Sequence, residues 1–122
     1  VPRLLLIAIV DDDPSFRRAT RGFIESLGYD VVAFGSGEEF LTSPNLDETA
    51  CLICDVQMPG LSGIELQKRL GATGYTFPII FITAHVDAKT RGEALASGAV
   101  AFFDKPFRER ELISCLERVS PR

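Results

Sequence analysis

At 122 residues, with 46% hydrophobic and 25% charged residues, the chain has the size and composition of one soluble globular domain with a core of its own. A net charge of −4 leaves no basic footprint for nucleic acid or an anionic membrane surface. No apolar run approaches the roughly 20 residues of a spanning helix, and Leu4–Val10 is too short, and lacks the cleavage site, for a secretory signal.

Leu4–Val10 is apolar throughout and predicts a parallel strand buried on both faces. It ends in three acids, Asp11, Asp12 and Asp13. Pro14 suits the first turn of a helix with Asp13 as its cap, and Phe16, Ala19, Phe23, Ile24 and Leu27 recur at helical spacing until Gly28 stops it. Tyr29–Phe34 predicts a second strand. Ser36-Gly-Glu-Glu39 is a capping box opening a short helix with Phe40 and Leu41, and Ser43-Pro-Asn-Leu-Asp47 reads as loop. A third strand, Ala50–Cys54, runs into Asp55. Pro59-Gly60 then breaks the chain, and Ser62-Gly-Ile-Glu65 caps a helix carrying Ile64, Leu66 and Leu70. Pro78–Ile82 is a fourth buried strand, with Thr83 at its end. Asp87–Ser97 is helical but weakly supported, with Gly92 inside it, and Gly98 ends it. Val100–Phe103 is a fifth strand, followed by Lys105-Pro106. Leu112, Ile113, Leu116 and Val119 mark the last helix.

Five repeats of strand then helix predict an α/β fold, a doubly wound parallel sheet with helices on both faces. The flavodoxin-like strand order 2-1-3-4-5 is the natural candidate, and it puts the switch point between strands 1 and 3. Asp11, Asp12 and Asp55 would then share one pocket, with Thr83 and Lys105 at the same edge. Crowded carboxylates repel unless a hard cation joins them, and Mg²⁺ fits because it takes one or two carboxylates with water and phosphoryl oxygens. Asp12 and Asp55 would ligate directly, Asp11 through a water, and the Gln57 backbone carbonyl would complete the protein ligands. Asp55 is the expected nucleophile toward phosphorus, with Lys105 and the Thr83 hydroxyl each holding a phosphoryl oxygen. A cis Lys105–Pro106 peptide would aim the lysine back over the pocket.

Cys51, Cys54 and Cys115 are an odd set at irregular spacing, which argues against a disulfide framework. Cys51 and Cys54 lie three apart in a strand and so face opposite sides of the sheet, as core residues and not as a metal or redox pair. A reducing cytoplasm suits this usage. The basic cluster Arg17-Arg18-Arg21 reads as a solvated face of the first helix, with docking of a kinase as its functional alternative.

Val10-Asp-Asp12, Asp55 with Met58-Pro-Gly60, Thr83-Ala84 and Lys105-Pro-Phe107 together resemble the receiver domain of two-component response regulators, the CheY-like family. The likeness covers essentially the whole chain, residues 1–122. Ser36-Gly-Glu-Glu-Phe-Leu41 and Gly98-Ala-Val-Ala-Phe-Phe103 are most similar to FixJ-type regulators. The resemblance implies that Asp55 takes a phosphoryl group from a phosphohistidine on a sensor histidine kinase or a histidine phosphotransfer protein. It implies metal-binding roles for Asp11 and Asp12, and active-site roles for Thr83 and Lys105. Phe102 matches an aromatic position that swings inward on activation. Gln57 and His85 match positions that control water access to the acyl phosphate. Helix 4, strand 5 and helix 5 would form the responsive face, for a phosphorylation-dependent homodimer or an output domain. A transcriptional output domain would follow a linker beginning near Ser120-Pro-Arg122, and Val1-Pro-Arg3 is expected to be a processed or added start.

The alternatives belong to other classes. A phosphorylation-independent interaction module could use the same fold. A Mg²⁺-dependent phosphohydrolase of the haloacid-dehalogenase kind would need a second acid two residues after its nucleophile, which Asp55-Val-Gln57 lacks; Asp11-Asp-Asp13 has one, but this length leaves no room for a cap domain. A flavin or nucleotide carrier would need a Gly- or Ser/Thr-rich phosphate loop after strand 1, where three acids stand instead.

Overall fold

The computed structural model describes residues 5–119. Leu4, expected in the first strand, lies outside the described residues, as do Val1-Pro-Arg3 and Ser120-Pro-Arg122. The elements run β1 (Leu6–Val10), α1 (Pro14–Ser26), β2 (Asp30–Phe34), α2 (Gly37–Leu41), β3 (Thr49–Cys54), α3 (Gly63–Ala72), β4 (Ile79–Thr83), α4 (Ala88–Ala96), β5 (Ala101–Asp104) and α5 (Glu109–Val119). All strand pairs are parallel, in the order β2-β1-β3-β4-β5. The expected α/β architecture is therefore the observed one, with strand limits shifted by one or two residues.

Alternation along the strands builds two cores. Ala8, Val10, Leu52, Cys54 and Phe81 pack with Phe40, Leu66 and Leu70 on one face. Ile7, Ile9, Ile53, Ile80 and Ile82 pack with Ile24, Leu112 and Leu116 on the other. Helices α1 and α5 thus cover one face, and α2, α3 and α4 the other. Cys51 and Cys54 fall in opposite cores, and all three cysteines are free and buried. Burial drives the Cys51 thiol up to about 12, with Cys115 on the same face adding to the shift. A thiol held protonated at neutral pH packs as a small apolar group and is a poor nucleophile.

Local signals set most helix ends. The Asp13 carboxylate accepts from Ser15 N (2.9 Å) and Phe16 N (3.3 Å), and Gly28 takes a positive φ of 96° after α1. Ser62 and Glu65 complete a reciprocal capping box. The Ser36 box is only half made. Ser36 Oγ accepts from Glu39 N, but the Glu39 carboxylate reaches back to Gly35 N at 3.2 Å instead of to Ser36 N. The expected loop Ser43–Asp47 is also partly ordered, because Leu46–Glu48 turns as a 3-10 helix and buries Leu46. Helix α4 is weakly anchored, as its sequence predicts, with only Ala94 buried along its length. Gln67 of α3 steadies it by donating from Nε2 to the Ala94 carbonyl at 3.0 Å.

Candidate functional site

Register places the site. Val10 pairs with Phe34 on one side and Cys54 on the other. The ladder runs one step further, since Asp11 N donates to the Phe34 carbonyl (3.1 Å) and Asp55 N to the Val10 carbonyl (3.0 Å). Asp11 and Asp55 therefore leave adjacent strands side by side at the point where strand order reverses. Across the sheet, Thr83 pairs with Asp104, and Lys105 N donates to the Thr83 carbonyl at 2.9 Å. The Lys105–Pro106 peptide is cis. Behind Asp55, the start of α3 comes so close that a Cβ on Gly63 would lie 2.2 Å from the Asp55 carbonyl oxygen.

Three carboxylates and one ammonium meet at this edge. One oxygen each from Asp11, Asp12 and Asp55 lies within 4.8 Å of the others. Asp11 and Asp55 are buried and Asp12 is exposed. Lys105 Nζ donates to Asp55 Oδ2 at 3.0 Å and lies 2.7 Å from Asp11 Oδ2. That shorter contact is an ion pair, so the Lys105 ammonium is the group that balances Asp11 Oδ2. Asp11 Oδ1 accepts from Asp13 N (2.9 Å), and Asp55 Oδ1 from Gln57 N (3.3 Å).

Burial pushes the Asp11 carboxyl above its ordinary 3.8, against the neighbouring ammonium and the Asp13 N–H, which favour its ionised form. Burial alone would pull the Lys105 ammonium down; its contacts with Asp11 and Asp55 outweigh that and raise it above 10.5. A positive charge is thus secured at the centre of the pocket at neutral pH. Three carboxylates that bring one oxygen each within 4.8 Å, with a single ammonium in contact with two of them, make an all-oxygen donor set of the kind a hard divalent cation takes, so the residues fit such an ion.

The remaining residues singled out in the sequence are spread around this centre. Thr83 is buried at the end of β4. Gln57 and His85 are exposed in the loops after β3 and β4. Phe102, expected to swing inward, already has its ring inside, 5% exposed and 5.9 Å from the Phe81 ring centroid. Two neighbours of the site escaped the sequence reading. Arg17 does not belong to a wholly solvated face, because its Nη1 donates to the Asp11 carbonyl at 2.7 Å, whereas Arg18 and Arg21 stay exposed. The Phe16 ring lies under the Lys105 ammonium, 4.2 Å from Nζ to its centroid. A basic residue six positions after a strand-end acid was the available signal for Arg17. Helical spacing gave none for Phe16 beyond the core.

The family model of the response regulator receiver domain matches residues 7–117. The chain belongs to this family. The receiver domain is 43% identical over 117 residues to nodulation protein W of Bradyrhizobium diazoefficiens, covering 96% of the chain and 52% of that protein. It is 39% identical over 112 residues to the transcriptional regulatory protein FixJ of the same species, covering 91% of the chain and 54% of FixJ. The chain thus spans about half the length of these curated relatives. Among solved structures, FixJ-N superposes with a TM-score of 0.85 at 33% identity, covering 98% of the chain and 94% of that structure. A receiver protein from Burkholderia phymatum superposes at 0.79 with 44% identity, covering 93% of each. The likeness to FixJ-type regulators and the CheY-like fold read from the sequence both hold. No helix among the described residues is long and apolar enough to cross a membrane.

Proposed function

We propose that this receiver domain works as a phosphorylation switch in two-component signalling in the cytoplasm, with Asp55 as acceptor and a phosphohistidine of a sensor histidine kinase or histidine phosphotransfer protein as donor. The observation that carries the reading is the convergence of Asp55 Oδ2 and Lys105 Nζ at 3.0 Å inside the Asp11-Asp12-Asp55 cluster. An Asp55 oxygen attacks phosphorus as the phosphorus–nitrogen bond breaks, and that bond's electron pair stays on the departing imidazole. Asp11, Asp12, Asp55 and the Gln57 carbonyl would hold Mg²⁺, which offsets charge on the phosphoryl oxygens when bound. Lys105 turns its ammonium from the carboxylates to one phosphoryl oxygen, and the Thr83 hydroxyl donates to another. Gln57 and His85, exposed at the mouth, govern how water reaches the acyl phosphate. Exchanging both residues is expected to change its lifetime. The chain acts on no outside substrate and catalyses only its own phosphorylation and dephosphorylation.

Intact-mass spectrometry after incubation with acetyl phosphate tests this. A Mg²⁺-dependent gain of one phosphoryl group is expected, absent with a chelator and absent in Asp55→Asn. A wild-type protein that gains no phosphoryl group and binds no beryllofluoride would reject the reading.

The responsive face we assign to α4, β5 and α5. Phosphorylation replaces the singly charged Asp55 carboxylate with a group carrying about −1.5 to −2 charges and draws nearby donors toward the new oxygens. The exposed large hydrophobics Val86, Leu95 and Val100, at 38%, 40% and 40%, lie on α4 and the loops flanking it. A weakly anchored helix carrying such residues suits a segment that moves and then binds. Its partner would be a second phosphorylated copy or a transcriptional output domain. Sedimentation with beryllofluoride should show a shift toward dimer together with changed α4 amide resonances. An unchanged mass with unchanged α4 resonances excludes this assignment.

A further inference from the structure

Lys105 is the one cation in direct contact with both Asp11 and Asp55 among the described residues. Its ammonium is held from a third side by an apolar group. The Phe16 ring presents its face to Nζ, 4.2 Å from the centroid. The Lys105 side chain is 16% exposed, so the ammonium is partly shielded from water there. The electron-rich face of an aromatic ring attracts a cation most where the cation is desolvated.

The ring is itself fixed from two directions. Phe16 lies in the first turn of α1, where its N–H donates to the Asp13 cap at 3.3 Å. Phe107 meets it edge to face, with centroids 6.1 Å apart and planes at 89°, and also packs on Phe23 at 5.9 Å. Lys105 and Phe107 are two residues apart on one loop and both touch Phe16. The start of α1 therefore meets the β5–α5 loop at this ring.

We propose that Phe16 is a positioning residue for Lys105, holding the ammonium over the Asp11–Asp55 pair by its ring face. The inference rests on the receiver reading above. A carboxylate or carbonyl in this place would take one of the three N–H donors that a phosphoryl oxygen needs. An aliphatic side chain would fill the space without attracting the charge. The ring attracts the ammonium without using a hydrogen-bond donor, so Lys105 stays charged, aimed inward and free to turn to an incoming oxygen.

The test uses three substitutions at position 16: Phe16→Leu, Phe16→Tyr and replacement by pentafluorophenylalanine. The last keeps the ring shape while reversing the charge on its face. Two readouts are taken on the whole chain. One is the rate of Asp55 phosphorylation by acetyl phosphate with Mg²⁺. The other is the upfield ring-current shift of the Lys105 ε-methylene protons in the metal-free, unphosphorylated protein. Phe16→Leu should slow phosphorylation about three- to tenfold and abolish the ring-current shift. Phe16→Tyr should keep both. The fluorinated ring, which keeps the packing, should slow the reaction about three- to tenfold relative to the wild type, and this comparison stands even where the leucine protein folds poorly. A fluorinated protein reacting at the wild-type rate would overturn the proposal, as would a wild-type Lys105 with no ring-current shift. A wild type that takes no phosphoryl group and binds no beryllofluoride would instead overturn the phosphorylation-switch reading, and the Lys105 resonance would still report on Phe16.

Discussion

Gly63→Ala should unfold about 10 °C below the wild type, a loss of about 3 kcal/mol, while Gly71→Ala on the same helix should gain about 0.5 kcal/mol. The opposite signs come from what each new methyl would meet. At Gly63 it would lie 2.2 Å from the Asp55 carbonyl oxygen, and 3.0 Å from both Phe81 Cε1 and Val56 Cα. Two of those three atoms are backbone, so no rotamer change relieves the clash. Gly63 N also donates to the Val56 carbonyl at 2.8 Å, which ties the start of α3 to the residue after Asp55. At Gly71 nothing lies within 4 Å, and alanine simply reduces the conformational freedom of the unfolded chain. The effect at Gly63 extends to the site, because moving the Asp55 carbonyl moves the carboxylate relative to Lys105. Slower phosphorylation of the folded fraction should accompany the lower midpoint. Thermal unfolding of the two variants checks the first part and an acetyl phosphate time course the second. A Gly63→Ala protein as stable as Gly71→Ala would show that α3 can step away from β3, contrary to the packing described.

The contrast between Phe16 and Asp55 shows where sequence reading succeeds and where it stops. Buried parallel strands are apolar on both faces, so Leu4–Val10 and Ala50–Cys54 stood out, and the acids that end them could be placed at one edge once the strand order was inferred. Asp11, Asp12, Asp55, Thr83 and Lys105 needed nothing more than strand ends and a topology to be brought together. Phe16 needed a contact across 89 residues of chain, and its spacing on α1 matches that of Phe23 and Ile24, which serve the core. Arg17 was less hidden, because it stands six positions after a strand-end acid, but a basic residue in a basic cluster carries no sign of which carbonyl it will meet. The second half of the Ser36 box failed for a more local reason. Glu39 could reach either of two successive N–H groups, Gly35 or Ser36, and only the backbone path between them decides which. The turn at Leu46–Glu48 likewise follows from burial of Leu46, a tertiary cause that a Ser- and Pro-containing segment does not reveal.

Lys105→Met should slow phosphorylation of Asp55 about 100-fold, the scale of removing one fixed charge from the reacting group. Its effect on stability should depend on pH in a direction that the site dictates. Lys105 contacts two carboxylates that are nearly buried, and taking away the ammonium leaves them facing each other. A fully buried pair broken in this way costs about 3–5 kcal/mol; at a pocket mouth that admits water, about 1–2 kcal/mol is expected at neutral pH. Burial already holds the Asp11 carboxyl above 3.8, so the folded protein keeps a proton there at pH values where the unfolded chain has lost it. Stability therefore falls as pH rises between the unfolded and folded values. Without Lys105 the folded value climbs further, and that window widens upward. The variant should then lose more stability than the wild type between about pH 4 and about pH 7, and less of the deficit should remain at the acid end. Urea unfolding at the two pH values measures the difference. Adding Mg²⁺ at neutral pH should stabilise the variant more than the wild type, because a bound cation replaces the missing charge. Parallel pH dependences in the two proteins, with no greater response to Mg²⁺ in the variant, would mean that Asp11 does not depend on Lys105 for its charge balance.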